Sequence, residues 1–221
     1  MKREQSGFTL IEIAIVLVII GLLLGGVLKG QELINSAKVK NLAGDFKNIP
    51  VFIYGYQDKF KALPGDDAIV VAHVNGTLCT ATPGSCVPGN GIIEGLWDAT
   101  AVTSESFVFW QHVRLAGLAP GATNTAAADY IPLNASGGKI GVTNAGQTPI
   151  TGLKGSYIIC SNGIPGKFAK QLDVTLDNGD TTTGSVMVTT AGTSTPAAAA
   201  IPTTGAGAIV DDTTYLVCMG I

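Results

Sequence analysis

The feature that most constrains this chain is the apolar run from Phe8 to Leu28, FTLIEIAIVLVIIGLLLGGVL, 21 residues long with one charge, Glu12. As a helix at about 1.5 Å per residue it would span roughly 31 Å, the thickness of a bilayer's hydrocarbon core. The run therefore predicts a membrane-spanning helix. Its carboxylate stands four residues past Phe8, and an ionisable group in hydrocarbon costs about 2.5 kcal/mol or more and usually persists only with a partner. Glu12 is expected to have one.

Lys2 and Arg3 precede the run, as they would in a secretory signal peptide. The run is too long for such a peptide's apolar core of about 7–15 residues, it carries Glu12, and no A-x-A site follows it. A small-residue cut site stands in front of it instead, at Ser6-Gly7. The short basic leader Met1–Ser6 followed by Gly7-Phe8-Thr9-Leu10-Ile11-Glu12 resembles the N-terminus of the type IV prepilin and pseudopilin superfamily. The resemblance implies cleavage after Gly7 by a dedicated inner-membrane peptidase, which also methylates the new N-terminal residue, Phe8. It implies an assembly role for Phe8 and Glu12, the carboxylate pairing with the cationic amine of a neighbouring subunit and so satisfying the demand made above. The implied partners are that peptidase and methyltransferase, an inner-membrane assembly platform, other copies of the chain and pilin-like subunits, and the lipid bilayer before assembly. The implied location is a single pass of the inner membrane with a periplasmic head, then a pilus at the cell surface or a periplasmic pseudopilus. The motif covers only the first 30 or so residues.

Beyond the run, Val39, Leu42, Phe46, Ile49, Ile53, Tyr56, Phe60 and Leu63 recur at alternating steps of three and four, which places them on one helix face. The helix is therefore expected to continue to Leu63, roughly 84 Å from Phe8, half in the membrane and half as a spine that the rest of the chain covers. Pro50 lacks an N–H and predicts a kink near Phe46–Pro50. Gly21, Gly25 and Gly26 lower helix propensity within the span, either to allow close packing or to permit local melting. Leu63-Pro64-Gly65-Asp66-Asp67 is a turn signal that ends the helix. The expected organisation is a leader at 1–7, a transmembrane or filament-core helix at 8–28, a helical spine at 29–63 and a C-terminal head at 64–221.

In the head, the residues predict a helix from about Ser104 to Leu118, another from Lys167 to Leu176, and strands at Lys154–Ser161, Ser185–Thr190 and Thr213–Met219. Shorter strands are possible at Tyr130–Leu133 and Lys139–Val142. The Thr, Ala, Pro and Gly bias of Ala191–Ala208 suits an exposed loop, and Ala119–Leu153 is similarly loop-rich. The fold class is thus α+β: a long N-terminal helix, membrane span plus soluble spine, packed against a small, mostly antiparallel sheet with long loops. The resemblance implies the same pilin-like layout. Charge is also divided: residues 29–63 carry six Lys against Glu32, Asp45 and Asp58, net +3, whereas residues from Pro64 onward are net −6. A basic stem and an acidic head can attract one another between subunits, or be two separately solvated surfaces.

The four cysteines are even in number and, if Lys2 and Arg3 stay cytoplasmic, lie on the oxidising side of the membrane. Three connectivities are open. The reading adopted is Cys79–Cys86, around Thr82-Pro83-Gly84, with Cys160–Cys218; the alternative for the second pair is two buried thiols. Relatives often staple the C-terminal region in this way, so the resemblance favours the bridge.

Chemistry beyond assembly is sparse. Gly89-Asn90-Gly91-Ile92-Ile93-Glu94-Gly95 has the spacing G-x-G-x-x-x-G and follows Pro88, so it reads as a turn and not as a dinucleotide loop. There is no G-x-S-x-G elbow, and His112, beside Trp110, reads as a packed or surface residue. A metal site is not expected, because C-x-x-C is absent and His73 and His112 are the only histidines. Some pseudopilins bind calcium, but Asp173, Asp177, Asn178 and Asp180 read as a helix end followed by an Asx turn, with no Glu closing an EF-hand. The acidic head disfavours nucleic acid as a direct ligand. The reading is a structural filament subunit without catalytic residues or cofactor: a type IV pilin, with a type II secretion pseudopilin or a minor or priming pilin as the alternative. From a different class, a membrane-anchored periplasmic enzyme or binding protein would tolerate Glu12→Ala.

Overall fold

The structure, a computed structural model, describes residues 9–80 and 86–221. Its first helix, α1, runs from Leu10 to Phe60, and the chain forms two compact units, Met1–Lys38 and Val39–Ile221.

In the first unit every described residue from Leu10 onward is helical and none is buried. The helix contains a stretch long and apolar enough to cross a membrane. Leu10, Leu17, Leu22 and Leu28 are all more than 60% exposed, and nothing lies within 4 Å of where a Cβ on Gly21, Gly25 or Gly26 would sit. Such a surface, apolar all round, is at home only in lipid or against other chains.

In the second unit α1 shows the expected stripe: Val39, Leu42, Phe46, Ile49, Ile53 and Tyr56 are buried, while Val51 and Tyr54 face outward. The helix continues through Pro50 and stops at Phe60, three residues before the expected Leu63. Lys61 adopts a left-handed conformation (φ 56°) and its N–H bonds back to the Gln57 carbonyl at 2.8 Å. Leu63, which precedes a proline and so disfavours the helical region, reaches the core from the turn instead. A short helix, α2 (Val70–Val74), follows, and then α3 (Glu105–Leu115), buried from Glu105 to Arg114.

The sheet contains β1 (Ile140–Asn144), β2 (Tyr157–Pro165), β3 (Val186–Thr190) and β4 (Thr214–Gly220), ordered β1-β2-β4-β3 with every pairing antiparallel. Helix α4 (Gly166–Leu176) leaves directly from β2. Because side chains alternate along a strand, the sheet has two apolar faces. Val142, Ile159, Val186, Val188 and Val217 join the α1 stripe, Phe107, Phe109 and Phe168 in the main core. Ile158, Cys160, Met187, Leu216 and Cys218 form a second core on the opposite face with Trp97, Ile150 and Leu153.

One expectation is corrected here. Tyr130–Leu133 is not a strand: the Tyr130 ring is buried, its hydroxyl donates to the Phe107 carbonyl and accepts from the Gln111 N–H, and only an isolated bridge links Leu133 to Lys139. As its composition predicts, Ala191–Ala208 is a loop with no buried residue. Its backbone is stitched down by Ala198 N–H to Pro149 O, Thr151 N–H to Ala198 O and Ile201 N–H to Val188 O, and Ala200 packs on the second core. Small side chains let this segment lie close to the sheet.

Candidate functional site

The first candidate site is the start of α1. Thr9 precedes the first helical residue, and the Glu12 carboxylate lies three positions further on. Glu12 Oε2 accepts from the Thr9 N–H (2.8 Å) and the Thr9 hydroxyl (2.6 Å), while the Glu12 N–H reaches back to Thr9 Oγ1 (3.4 Å). This is a capping box, which satisfies two of the helix's four orphan N–H groups within the chain. Glu12 Oε1 makes no hydrogen bond or ion pair among the described residues. Gly7 and Phe8, the expected cleavage and methylation positions, lie outside the described residues.

The second is a polar cluster in the second unit that the sequence did not single out. Asp66 and Asp67 leave the turn after α1 almost wholly buried. Asp66 accepts the N–H groups of Gly89, Asn90 and Gly91, with Gly89 and Gly91 at positive φ so that successive amides can converge. The glycine turn thus forms an anion cradle, and the chain's own carboxylate fills it. Burial pushes the Asp66 carboxyl up, against those three N–H groups.

Asp67 gathers three donors: Tyr56 Oη–H at 2.7 Å and His73 Nδ1 at 2.6 Å on Oδ2, and the Ile69 N–H at 3.0 Å on Oδ1. Burial alone would raise its pKa, but His73, Tyr56 and Ile69 outweigh it and hold the carboxyl below its ordinary value. Beside Asp67 the His73 ring stacks on Phe60, with centroids 4.9 Å apart. An open cavity of about 490 Å³ adjoins these groups, bordered by Phe60, Asp67, His73 and Tyr157.

On α3, Glu105 is fully buried and accepts the Val87 and Glu94 N–H groups on separate oxygens. Burial, reinforced by the charges of Asp66 and Glu94, pushes its carboxyl up to about 7. His112 is also fully buried. Its Nδ1 accepts the Gly65 N–H at 2.9 Å and its Nε2 faces the Thr77 carbonyl at 2.9 Å, so Nε2 carries the proton and the ring is neutral. Burial lowers its pKa accordingly. With both ring nitrogens committed to backbone, His112 is a structural bolt and offers no base to a substrate.

Sulfur–sulfur bonds join Cys79 to Cys86 and Cys160 to Cys218; residues 81–85 of the first loop lie outside the described residues. Cys160 and Cys218 are direct cross-strand partners in the β2–β4 register. Cys79, Cys86 and Glu105 converge closely enough to suggest metal ligation, but sulfurs bonded to each other supply no thiolate. In the acidic turn, Asn178 Oδ1 accepts the Asp180 N–H and Asp180 Oδ1 the Thr182 N–H, while Asp177 Oδ2 holds the N–H groups of Ser185 and Val186. Asp211 is ion-paired with Lys170 at 2.8 Å. Asp173 is buried at this turn, and burial pushes its carboxyl up to about 6 against a backbone hydrogen bond from Gly179.

Of the expected site residues, Glu12 sits in the cap and the cysteines in two bridges. Asp66, Glu105 and His112 are held by backbone groups distant in sequence and Asp67 by the side chains of Tyr56 and His73, so no local motif marks this cluster. Residues 2–28 match the family model for the prokaryotic N-terminal methylation motif, the prepilin-type signature. The chain has no match among curated proteins.

Proposed function

With the prepilin-type signature at residues 2–28 as premise, which supports a type IV pilin- or pseudopilin-like protein and implies a structural one, we propose that this chain is a filament subunit polymerised through its N-terminal helix. Residues 1–7 are its leader, residues 8–28 hold it in the inner membrane, residues 29–63 form its stem and residues 64–221 its head. The prepilin peptidase cuts after Gly7 and methylates Phe8. Assembly then draws the helix out of lipid and against other copies or related pilin-like subunits, on an inner-membrane platform.

The observation that supports this reading most is the state of α1 from Leu10 to Leu28. Among the described residues the apolar helix buries nothing in its own chain, yet it carries a carboxylate with one oxygen committed to its own cap and the other without a partner there. In lipid the capping box reduces the cost of that charge by local hydrogen bonds. In a filament the free oxygen accepts the Phe8 amine of a neighbouring copy, and a misaligned copy would leave two charges unpaired in an apolar core. The pair therefore sets axial register.

Glu12→Ala tests this. The variant inserts in the membrane at least as well as the parent chain, since a charge costing about 2.5 kcal/mol or more has gone. Its yield of sheared fibre falls at least about tenfold, which requires a loss of only about 1.4 kcal/mol per subunit contact. Fibre in normal yield from this variant refutes the pairing. A long surface fibre identifies a pilus, a requirement confined to protein export a secretion pseudopilus, and low copy number a minor subunit.

A further inference from the structure

Asp45 stands apart from the other half-buried acids of the second unit. It lies on α1, one residue before the buried Phe46, and it makes no hydrogen bond or ion pair among the described residues. Burial pushes its carboxyl up to about 6. Beside it is a groove of about 170 Å³ whose walls are apolar, built from Ile49, Phe52, Trp110 and Leu133, with Asn48 as a second polar group. Leu133 is 62% exposed despite belonging to that wall. Arg114 borders the same groove, but its Nε and Nη1 are spent on the carbonyls of Pro120, Ala122 and Tyr130, and its guanidinium lies over the Trp110 ring at 5.6 Å. It forms no ion pair with Asp45.

An apolar channel ending in an unpaired carboxylate fits one kind of guest: a flexible methylene stem with a cationic head. A lysine side chain has that form, burying its (CH₂)₄ stem along apolar surface while its ammonium seeks a carboxylate. This chain supplies such lysines. Lys38, Lys40 and Lys47 are exposed and have no ion-pair partner among the described residues, whereas Lys29, Lys61 and Lys170 are paired with Glu32, Asp58 and Asp211. They belong to the stretch 29–63, in which six Lys stand against only Glu32, Asp45 and Asp58, so lysines outnumber the carboxylates that could pair with them.

We propose that the Asp45 groove is a seat for a stem lysine (Lys38, Lys40 or Lys47) of a second copy of this chain, a lateral contact between subunits separate from the Phe8–Glu12 pair. This rests on the filament reading above and adds a head-to-stem contact to it. Seating the ammonium gives Asp45 the partner it lacks, covers Leu133, and fixes the rotation of one head against the next stem. A carboxylate half out of water gains more from such a partner than an exposed one does.

The test is zero-length carbodiimide coupling on assembled fibres of the full chain, followed by tryptic mass spectrometry. Carbodiimide joins a carboxylate to an amine only where the two are in contact. The expected product links the 41–47 peptide through Asp45 to a peptide carrying Lys38, Lys40 or Lys47. Products in which residues 41–47 occur twice come only from two copies. Asp45→Asn eliminates the product. Asp45→Lys lowers fibre yield, and the added reversal of Lys40 or Lys47 to Asp restores it, which a merely structural role for Asp45 would not allow. Fibres in which Asp45 stays uncoupled, or couples only to the head lysines Lys139, Lys154 or Lys167, overturn the proposal while leaving the filament reading intact. Absence of fibres from the parent chain overturns the filament reading itself.

Discussion

Asp67→Asn removes the carboxylate that ties the end of α1 to the turn and to α2. The group is fully buried and holds three donors, Tyr56 Oη–H, His73 Nδ1–H and the Ile69 N–H, at 2.7, 2.6 and 3.0 Å. An ionised carboxylate accepts on both oxygens, whereas an amide has one acceptor and one NH₂ donor. In either orientation the variant sets its NH₂ against a buried donor. If the remaining oxygen stays with Tyr56 and His73, the Ile69 N–H is orphaned; if the amide flips, the Tyr56–His73 pair loses its shared acceptor. Hydrogen bonds to a charged group contribute about 1.5–3 kcal/mol each, and a buried unsatisfied donor costs a similar amount, so the expected loss is about 3 kcal/mol. For a chain of this size that lowers the melting temperature by roughly 6–12 °C. The assay is thermal unfolding of the full chain in detergent, followed by near-UV circular dichroism. The pH dependence supplies a second readout. Because hydrogen bonds hold the Asp67 pKa below its ordinary value, its stabilisation is present above the ordinary carboxyl range, about pH 4, and is lost as pH falls through the folded value. The gap between parent and variant should therefore be constant from pH 7 to pH 5 and close at lower pH. A shift under about 2 °C at pH 7 refutes the idea that this carboxylate pins the helix end.

Glu105 and Asp173 make the opposite prediction. Burial is the main cause in both and raises them to about 7 and about 6, so the native chain holds protons that the unfolded chain has released. Stability then falls as pH rises through each value, and the urea midpoint should increase from pH 8 to pH 6.5; Glu105→Gln flattens that rise, and an unchanged slope in the variant contradicts the assignment. His112, lowered by burial, opposes the trend only as pH drops below about 6.5. Replacing both Cys160 and Cys218 by Ala should cost about 4 kcal/mol and replacing both Cys79 and Cys86 about 2.4 kcal/mol, on a chain-entropy scale set by sequence separations of 58 and 7. Urea midpoints in the reverse order would contradict that account.

The parts of the fold visible in the sequence are those written as periodicity. The Val39–Tyr56 stripe states which face is covered, because burial repeats at about 3.6 residues, and the short continuous apolar run TYLVCM fits a strand covered on both faces. Helix α1 ends three residues before the stripe does, since Leu63 has the right character for the stripe but reaches the core through a turn that Lys61 opens with a positive φ. Helix α2 is only five residues long and carries no period. The polar cluster was illegible for another reason. Asp66 looks like a turn residue in the sequence, and only tertiary packing brings the Gly89, Asn90 and Gly91 amides to it from more than 20 residues away. The glycine turn read correctly as a turn, but its ligand is the chain itself.

The central claim is that residues 1–7 are a leader and that the rest polymerises. It is tested most directly by intact-mass spectrometry of the protein in sheared surface material and in the membrane fraction. The account predicts a chain beginning at Phe8, heavier by one CH₂ for its N-methyl group and lighter by four hydrogens for its two disulfides, in a polymer that shearing or membrane fractionation recovers. A chain that still begins at Met1 and stays dispersed in the membrane would contradict it.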